Sequence, residues 1–392
     1  MAERVYAENE IKLNIDSRYY NRLDIPGFAR MMKDPSYCYK FYWLEAIVNL
    51  ISKDVKETTF DEIIDEMIAN AWYSVVEFHV HLSGFVNGEA RDGLERAVLK
   101  LHEVSGLASN ASKVEIKNAI KEHNAEIAGE KKQLTHMVPY RALAGFFSGC
   151  DMKPDWSSEK RLVAYIEHVN RTHAVLPYVL GESSMLKREV VFNREWIEMI
   201  QDNTVSILGW IQFEKVKWLQ MNNPEVPGLV YKLAPLDDKM RKLGSVRKLW
   251  DAVACRVPVR DVFTGGLIEP KGYDVDHFIP WSFVMNDELW NLMPMDSSLN
   301  SSKSNRLPKW DLFFEGFAGN QFLLYEAIHG DEGIYELYTK CYKDNLHSIW
   351  ANQELYKKGN SRTEFCNILD KNMRPIYDSA KRQGYDVWEY GV

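Results

Sequence analysis

The sequence predicts a mainly α-helical chain with one small α+β module set into it. Three observations carry that reading. Apolar residues recur at helical spacing through most of the first 225 residues and again after Pro308. Pro224, Pro227 and Pro235 punctuate a linker-like stretch between the two helical regions. After that stretch come short β-type runs, "VPVRDVF" and "LIEPKGYDVDHFI", separated by Thr264-Gly265-Gly266.

The elements follow in order. "PSYCYKFYWLEAIVNLISK" places Phe41, Leu44, Ile47, Val48 and Ile51 on one helical face. Its aromatic start fits a buried helix better than a base-stacking surface. Thr59 with Glu62, and Ser112 with Glu115, are spaced as capping boxes, so helices are expected to begin just after each Ser or Thr. "EFHVHL" carries His79 and His81 two apart. On a strand they would share a face, but on the expected helix they diverge and make no metal site. One long helix is expected from after Asn193 to before Pro224, with Trp210 and Trp218 at an interdomain core. A basic helix is expected over residues 238–254, and a hairpin about Gly265-Gly266, where glycine supplies the positive φ of a tight turn. After Pro308 helices are expected again to the end of the sequence. This gives a three-part plan: a helical domain over 1–225, a module over 236–310, and C-terminal helices over 311–392 packing on the body.

Composition narrows the function classes. The 392 residues are 46% hydrophobic and 27% charged, an ordinary balance for a water-soluble fold. No apolar run approaches the roughly 18 residues of a membrane span. The N-terminal stretch lacks an apolar signal core, which points to the cytoplasm. Five scattered cysteines form no CxxC pair, so neither a disulfide framework nor a Cys-rich zinc site is expected. There is no GxSxG elbow and no glycine-rich phosphate loop. The net charge of −8 argues against a general nucleic-acid coat. From Leu236 to Trp310, however, 11 Lys and Arg face 10 Asp and Glu. The basic residues gather in "KMRKLGSVRKLWDAVACRVPVR", just ahead of the β-type runs.

The chemistry concentrates in "YDVDHFIPWSFVMNDELWNLMPMDSSLNSSKSNRLP", Tyr273 to Pro308. Phosphodiester hydrolysis needs a base for an attacking water, and a histidine near neutral pKa suits it. It also needs charge stabilisation, which a hard cation held by one or two oxygen ligands supplies. Period-2 alternation puts Asp276 and His277 on opposite strand faces. Asn291 precedes a short apolar run. Asn300 falls in the first turns of a helix begun within "MDSSLNSSKSN".

In these residues the chain resembles the HNH nuclease family, whose core is a ββα-metal fold. The likeness is strongest to the HNH domain of RNA-guided CRISPR effector nucleases, through "DVDHFIPWSF", "WNL" and "NSSKSNRLP". It extends to bacterial defence-associated HNH proteins with a helical N-terminal region. The resemblance covers Asp261 to Pro308 closely, and more loosely reaches back to Asn193. It implies His277 as general base, with Asn291 fixing the loop and imidazole. It implies Asp276 and Asn300 as ligands of Mg²⁺ or Mn²⁺. Lys303 and Arg306 are implied as phosphate contacts, and the basic helix adds Arg247 and Lys248 as nucleic-acid contacts. Many members hold a structural zinc with two CxxC pairs; here only Cys255 lies in that region, so no structural zinc is expected. The implied activity is metal-dependent endonucleolytic cleavage of DNA, double-stranded by expectation, by an anti-phage effector. The helical region would then meet an activating or sensor protein. The alternative is an inactive HNH fold serving as a DNA-binding or adaptor subunit. The oligomeric state is left open.

Overall fold

The computed structural model describes residues 13–32, 37–83, 85–86, 89–90, 92–136, 138–234 and 241–390. The chain divides into two compact units. The first comprises Met1–Pro224 with Lys232–Ala234, and the second Glu225–Tyr231 with Pro235–Val392.

The first unit is helical around one almost wholly buried helix, Tyr39–Ile51. Burial all round is what its near-continuous apolar run requires. The aromatic start is core: Phe41, Tyr42 and Trp43 are buried, and the Trp43 Nε1 donates to the Tyr178 hydroxyl at 3.2 Å. Both capping boxes form, at the starts of Phe60–Trp72 and Lys113–Glu122. A three-stranded antiparallel sheet joins Glu57–Thr59, Glu189–Phe192 and Tyr178–Leu180, with the second strand central.

Two expectations for this unit change. The single long helix is two, Arg194–Asp202 and Thr204–Asn222. At the break, Asn203 Nδ2 donates to the Met199 carbonyl and Thr204 Oγ1 to the Ile200 carbonyl, both at 2.8 Å. Short polar side chains here compete for the backbone acceptors that would continue the helix. Trp210 and Trp218 belong to this unit's own interior. Trp210 packs on Phe28 at 6.2 Å, and Trp218 Nε1 donates to the Leu82 carbonyl at 3.3 Å. His79 and His81 lie beyond the end of a helical segment at Glu77, and His81 Nδ1 sits 2.7 Å from Glu95 Oε1.

The second unit holds the module. Helix α1 (Gly244–Ala254) is followed by strand β1 (Asp274–His277), strand β2 (Leu292–Met295) and helix α2 (Ser297–Lys303). Three long helices complete the unit: α3 (Trp310–Gly330), α4 (Glu332–Asn345) and α5 (Arg362–Arg382). The basic helix is shorter than expected. Residues 238–240 lie outside the described residues, and 241–243 have no regular structure. Their groups are drawn elsewhere: the Lys242 amide donates to Asp287 Oδ2 at 2.6 Å.

The glycine turn forms where expected but closes only a minimal hairpin, the Asp261 amide donating to the Gly266 carbonyl at 2.8 Å and the Ile268 amide to the Val259 carbonyl at 2.9 Å. Arg260 and Leu267 meet in a single antiparallel bridge around Gly265, whose φ is 69°. Asp261 closes this turn, accepting from the Phe263 and Thr264 amides at 2.9 and 2.8 Å. The ladder partner of β1 is β2, antiparallel, with Asp276 opposite Met293 and His277 opposite Leu292. Pro258 interrupts the first run, and Pro270 and Gly272 the start of the second, whereas "LMPM" is buried at every position and can sit under α3.

The C-terminal helices share one hydrophobic core with the module, so the expected division into 236–310 and 311–392 does not describe how the core is built. Trp250, Phe278, Leu292, Phe317, Phe365 and Trp388 belong to the same cluster. Phe278 stacks on Phe317 at 4.5 Å, and buried Gln321 donates to the Leu292 carbonyl at 2.8 Å. A short parallel pairing of Leu307–Pro308 with Val387–Trp388 ties the chain end beside α2. Among the described residues, no helix is long and apolar enough to cross a membrane.

Candidate active site

The alternation of β1 decides which side chains face which neighbours. Val275 and His277 are buried on one face; Asp274 and Asp276, two apart, lie on the other, partly exposed. Helix α2 faces that acidic edge. Its start is fixed by Asp296, which accepts from the Ser298 and Leu299 amides at 2.9 and 3.4 Å. Asn300 and Lys303, three apart, share a helix face. The two pairs match rung for rung. Asn300 Nδ2 donates to Asp274 Oδ2 at 3.3 Å, and Lys303 Nζ donates to Asp276 Oδ2 at 2.8 Å.

Lys303 is therefore not an open phosphate contact in this structure. Its side chain is 1% exposed, and its ammonium also donates to the His277 carbonyl at 2.8 Å. Burial by itself would raise the Asp276 carboxyl; the Lys303 charge and the surrounding hydrogen bonds outweigh it and hold the group below its ordinary value.

The other implied contacts divide. Arg247 lies at the acidic edge, with Nη1 donating to the Tyr273 carbonyl at 2.5 Å and Nη2 3.7 Å from Asp274. Lys248, next to it, is exposed. Arg306 is exposed but folds back on α2, donating to the Ser302 and Lys303 carbonyls as a C-terminal cap.

On the other face of β1 the His277 ring is 1% exposed. Its Nε2 lies 3.1 Å from the Asn286 carbonyl and 3.1 Å from Asp287 Oδ1. Its Nδ1 lies 3.3 Å from Arg241 Nη2. Arg241 also stacks over Trp281 at 5.5 Å. Burial pushes the Asp287 carboxyl upward, but His277, the Lys242 amide and Arg241 prevail and lower it. Asn291 is fully buried and clamps the loop after His277. Its Oδ1 accepts from the Ile279 amide and its Nδ2 donates to the Ile279 carbonyl, both at 2.8 Å. It acts on the loop backbone; the imidazole partners are Asn286, Asp287 and Arg241.

Three residues of this site escaped the sequence reading. Asp274 was signalled, since Asp-Val-Asp puts two carboxylates on one strand face. Asp287 and Arg241 had no local signal, because they reach His277 only through the fold.

The donor chemistry fits a hard divalent cation. Asp274, Asp276 and Asn300 offer carboxylate and amide oxygens around one edge, the ligand type of Mg²⁺ and Mn²⁺. Among the described residues no group of three or more His, Cys, Asp or Glu is arranged to hold a metal, so any such site depends on the Asn300 oxygen.

An antiparallel strand pair with Asp-His on one strand, closed by a helix bearing Asn and Lys, makes a ββα module. Residues 261–309 match the family model HNH_4, HNH endonuclease. No curated protein and no solved structure matches the chain.

Proposed function

We propose that the chain is an endonuclease that hydrolyses DNA phosphodiester bonds with a divalent cation and His277 as general base. The observation that carries this is the rung-for-rung pairing of Asp274 and Asp276 with Asn300 and Lys303, beside a histidine with two acceptors on one ring nitrogen. His277 takes a proton from the attacking water. Asn291 keeps the following loop in place. Asp276 and Asn300, with Asp274 beside them, would hold a Mg²⁺ or Mn²⁺ ion, which would supply charge stabilisation to the reacting phosphate. Arg247 and Lys248 contact the backbone without reading bases. The products carry a 5′-phosphate and a 3′-hydroxyl. Double-stranded DNA as substrate and a role in anti-phage defence rest on the family resemblance, the cytoplasmic setting on the scattered cysteines, and an activating partner on the net charge of −8.

One observation favours a second reading, a module that binds without cutting. His277 is buried and Asp276 is already paired with Lys303. A plasmid cleavage assay with Mg²⁺, Mn²⁺ or chelator separates the two. Metal-dependent nicking that is lost in His277→Ala and Asn300→Ala is the expected result. Retained DNA binding with no product under either metal, and equal toxicity of wild type and His277→Ala in cells, would establish the binding module instead.

A further inference from the structure

We propose that Asp261 is a positioning residue: its buried carboxylate fixes the corner between β2 and α2, and with it the alignment of Asn300 and Lys303 on Asp274 and Asp276. Its functional consequence rests on Asp276 and Asn300 being metal ligands.

Asp261 is 3% exposed, and its two oxygens serve two separate stretches of chain. Oδ1 takes three donors from the glycine turn: the Phe263 and Thr264 amides at 2.9 and 2.8 Å, and the Thr264 hydroxyl at 3.0 Å. Oδ2 takes its donor from 35 residues away, the Asp296 amide at 2.9 Å. A carboxylate accepts at both oxygens and donates nothing, so it can serve both stretches at once.

The turn end of this link is anchored in the core. Phe263 packs on Phe313 of α3 at 4.9 Å and on Trp388 at 5.0 Å. Buried Asn320, also on α3, donates to the Arg260 carbonyl at 2.7 Å. The other end is the corner where the strand becomes the helix. Met295, the last rung of β2, lies opposite Asp274. Asp296 follows, and its carbonyl accepts from the Asn300 amide at 3.0 Å in the first turn of α2. Asn300 then meets Asp274, and Lys303 meets Asp276. This ring of contacts, from Asp274 through Met295, Asp296 and Asn300 back to Asp274, closes only if the chain turns at the right place. The Asp296 side chain caps α2 from within. Asp261 ties the Asp296 backbone to the turn, and through the turn to α3. Phe313, Asn320 and Trp388 all lie outside the matched segment.

Asp261→Asn is the informative change, because it keeps the size and removes one acceptor. An amide offers one oxygen and one NH₂. With the oxygen kept toward the three donors of the turn, the NH₂ faces the Asp296 N–H, donor against donor in a buried site. The turn survives and the corner is released.

The test uses the full chain, metal-free, and follows backbone amide hydrogen exchange residue by residue. Thr264→Val is the control, since it weakens the turn and leaves the Asp296 contact in place. In Asp261→Asn the Asp296 and Asn300 amides should exchange about 10-fold faster, while those of Phe263 and Thr264 stay protected. Mn²⁺ affinity, read by electron paramagnetic resonance, should fall about 10- to 100-fold in Asp261→Asn and hold in Thr264→Val. A folded Asp261→Asn chain with wild-type protection at Asp296 and Asn300 overturns the proposal. So does wild-type Mn²⁺ affinity in a chain whose corner is loosened, or an equal loss of affinity in Thr264→Val, the mark of general destabilisation. Failure of the metal reading shows separately, as a wild type that binds no Mn²⁺, and the exchange pattern then still decides whether Asp261 holds the corner.

Discussion

Each unit buries a lysine completely, and the two lysines are used differently. In the first unit the Lys131 ammonium lies 2.6 Å from Asp61, 2.5 Å from Asp65 and 3.0 Å from the Asn124 amide oxygen. Asp61 and Asp65 are one turn apart on Phe60–Trp72, and Lys131 lies on Asn124–Thr135, so the cluster stitches two helices together. In the second unit Lys303 meets Asp276 and a carbonyl. Beside that pair stand Asp274, 40% exposed, and Asn300. Buried charge alone therefore does not mark a site. The difference is that both aspartates of the first cluster meet the lysine, whereas in the second Asp274 pairs with Asn300 instead.

The comparison breaks most sharply at His277. His277→Ala should lower DNA cleavage by about 10²- to 10⁴-fold, the usual contribution of a positioned base, with circular dichroism unchanged. Undiminished cutting would remove His277 as the base.

The two lysines should then match in stability and part in activity. Lys131→Met and Lys303→Met each strand a carboxylate that was paired with a buried ammonium, at a cost of about 3–5 kcal/mol in denaturant unfolding. Only Lys303→Met should also lose cleavage at temperatures where both chains remain folded. Loss of cleavage in both would tie the first unit to the chemistry.

A third buried lysine sharpens the point through pH. Lys232 is buried beside the Phe78 ring, and burial pushes its ammonium down from 10.5 to about 7. Between those two values the unfolded chain binds the extra proton, so stability from this group rises with pH from about 7 to about 10.5 and is lowest below 7. Lys232→Met should therefore stabilise the first unit at pH 6 more than at pH 10, measured as a shift in denaturant midpoint. Equal shifts at both would remove the desolvation argument. The smallest effect is expected at exposed Lys248. Lys248→Ala should weaken DNA binding equally across sequences and reduce the slope of log affinity against log salt by about 1.

The parts of this molecule readable from sequence are those with short-range causes. Thr59 with Glu62, and Ser112 with Glu115, announce helix starts because the reciprocal hydrogen bonds span three residues. The opposite facing of Asp276 and His277 follows from strand alternation, and Asn300 in the first turns of a helix follows from the Asp and Ser residues before it. The glycine turn is legible too, but it carries a single bridge; the longer ladder of β1 formed with β2, whose four residues are all buried.

By itself, then, the sequence determined a helical chain with an Asp-His strand and an Asn-Lys helix at the spacing of an HNH module. Only the tertiary structure decided that Lys303 turns inward to Asp276, 27 residues away, and that Arg241 reaches His277 across 36. It likewise placed Asp287 against the imidazole and gathered the C-terminal helices into the module's core. The physical reason is range. Caps and alternation are set by backbone geometry over a few residues, whereas the partner of a buried charge is set by which distant elements exclude water from it together.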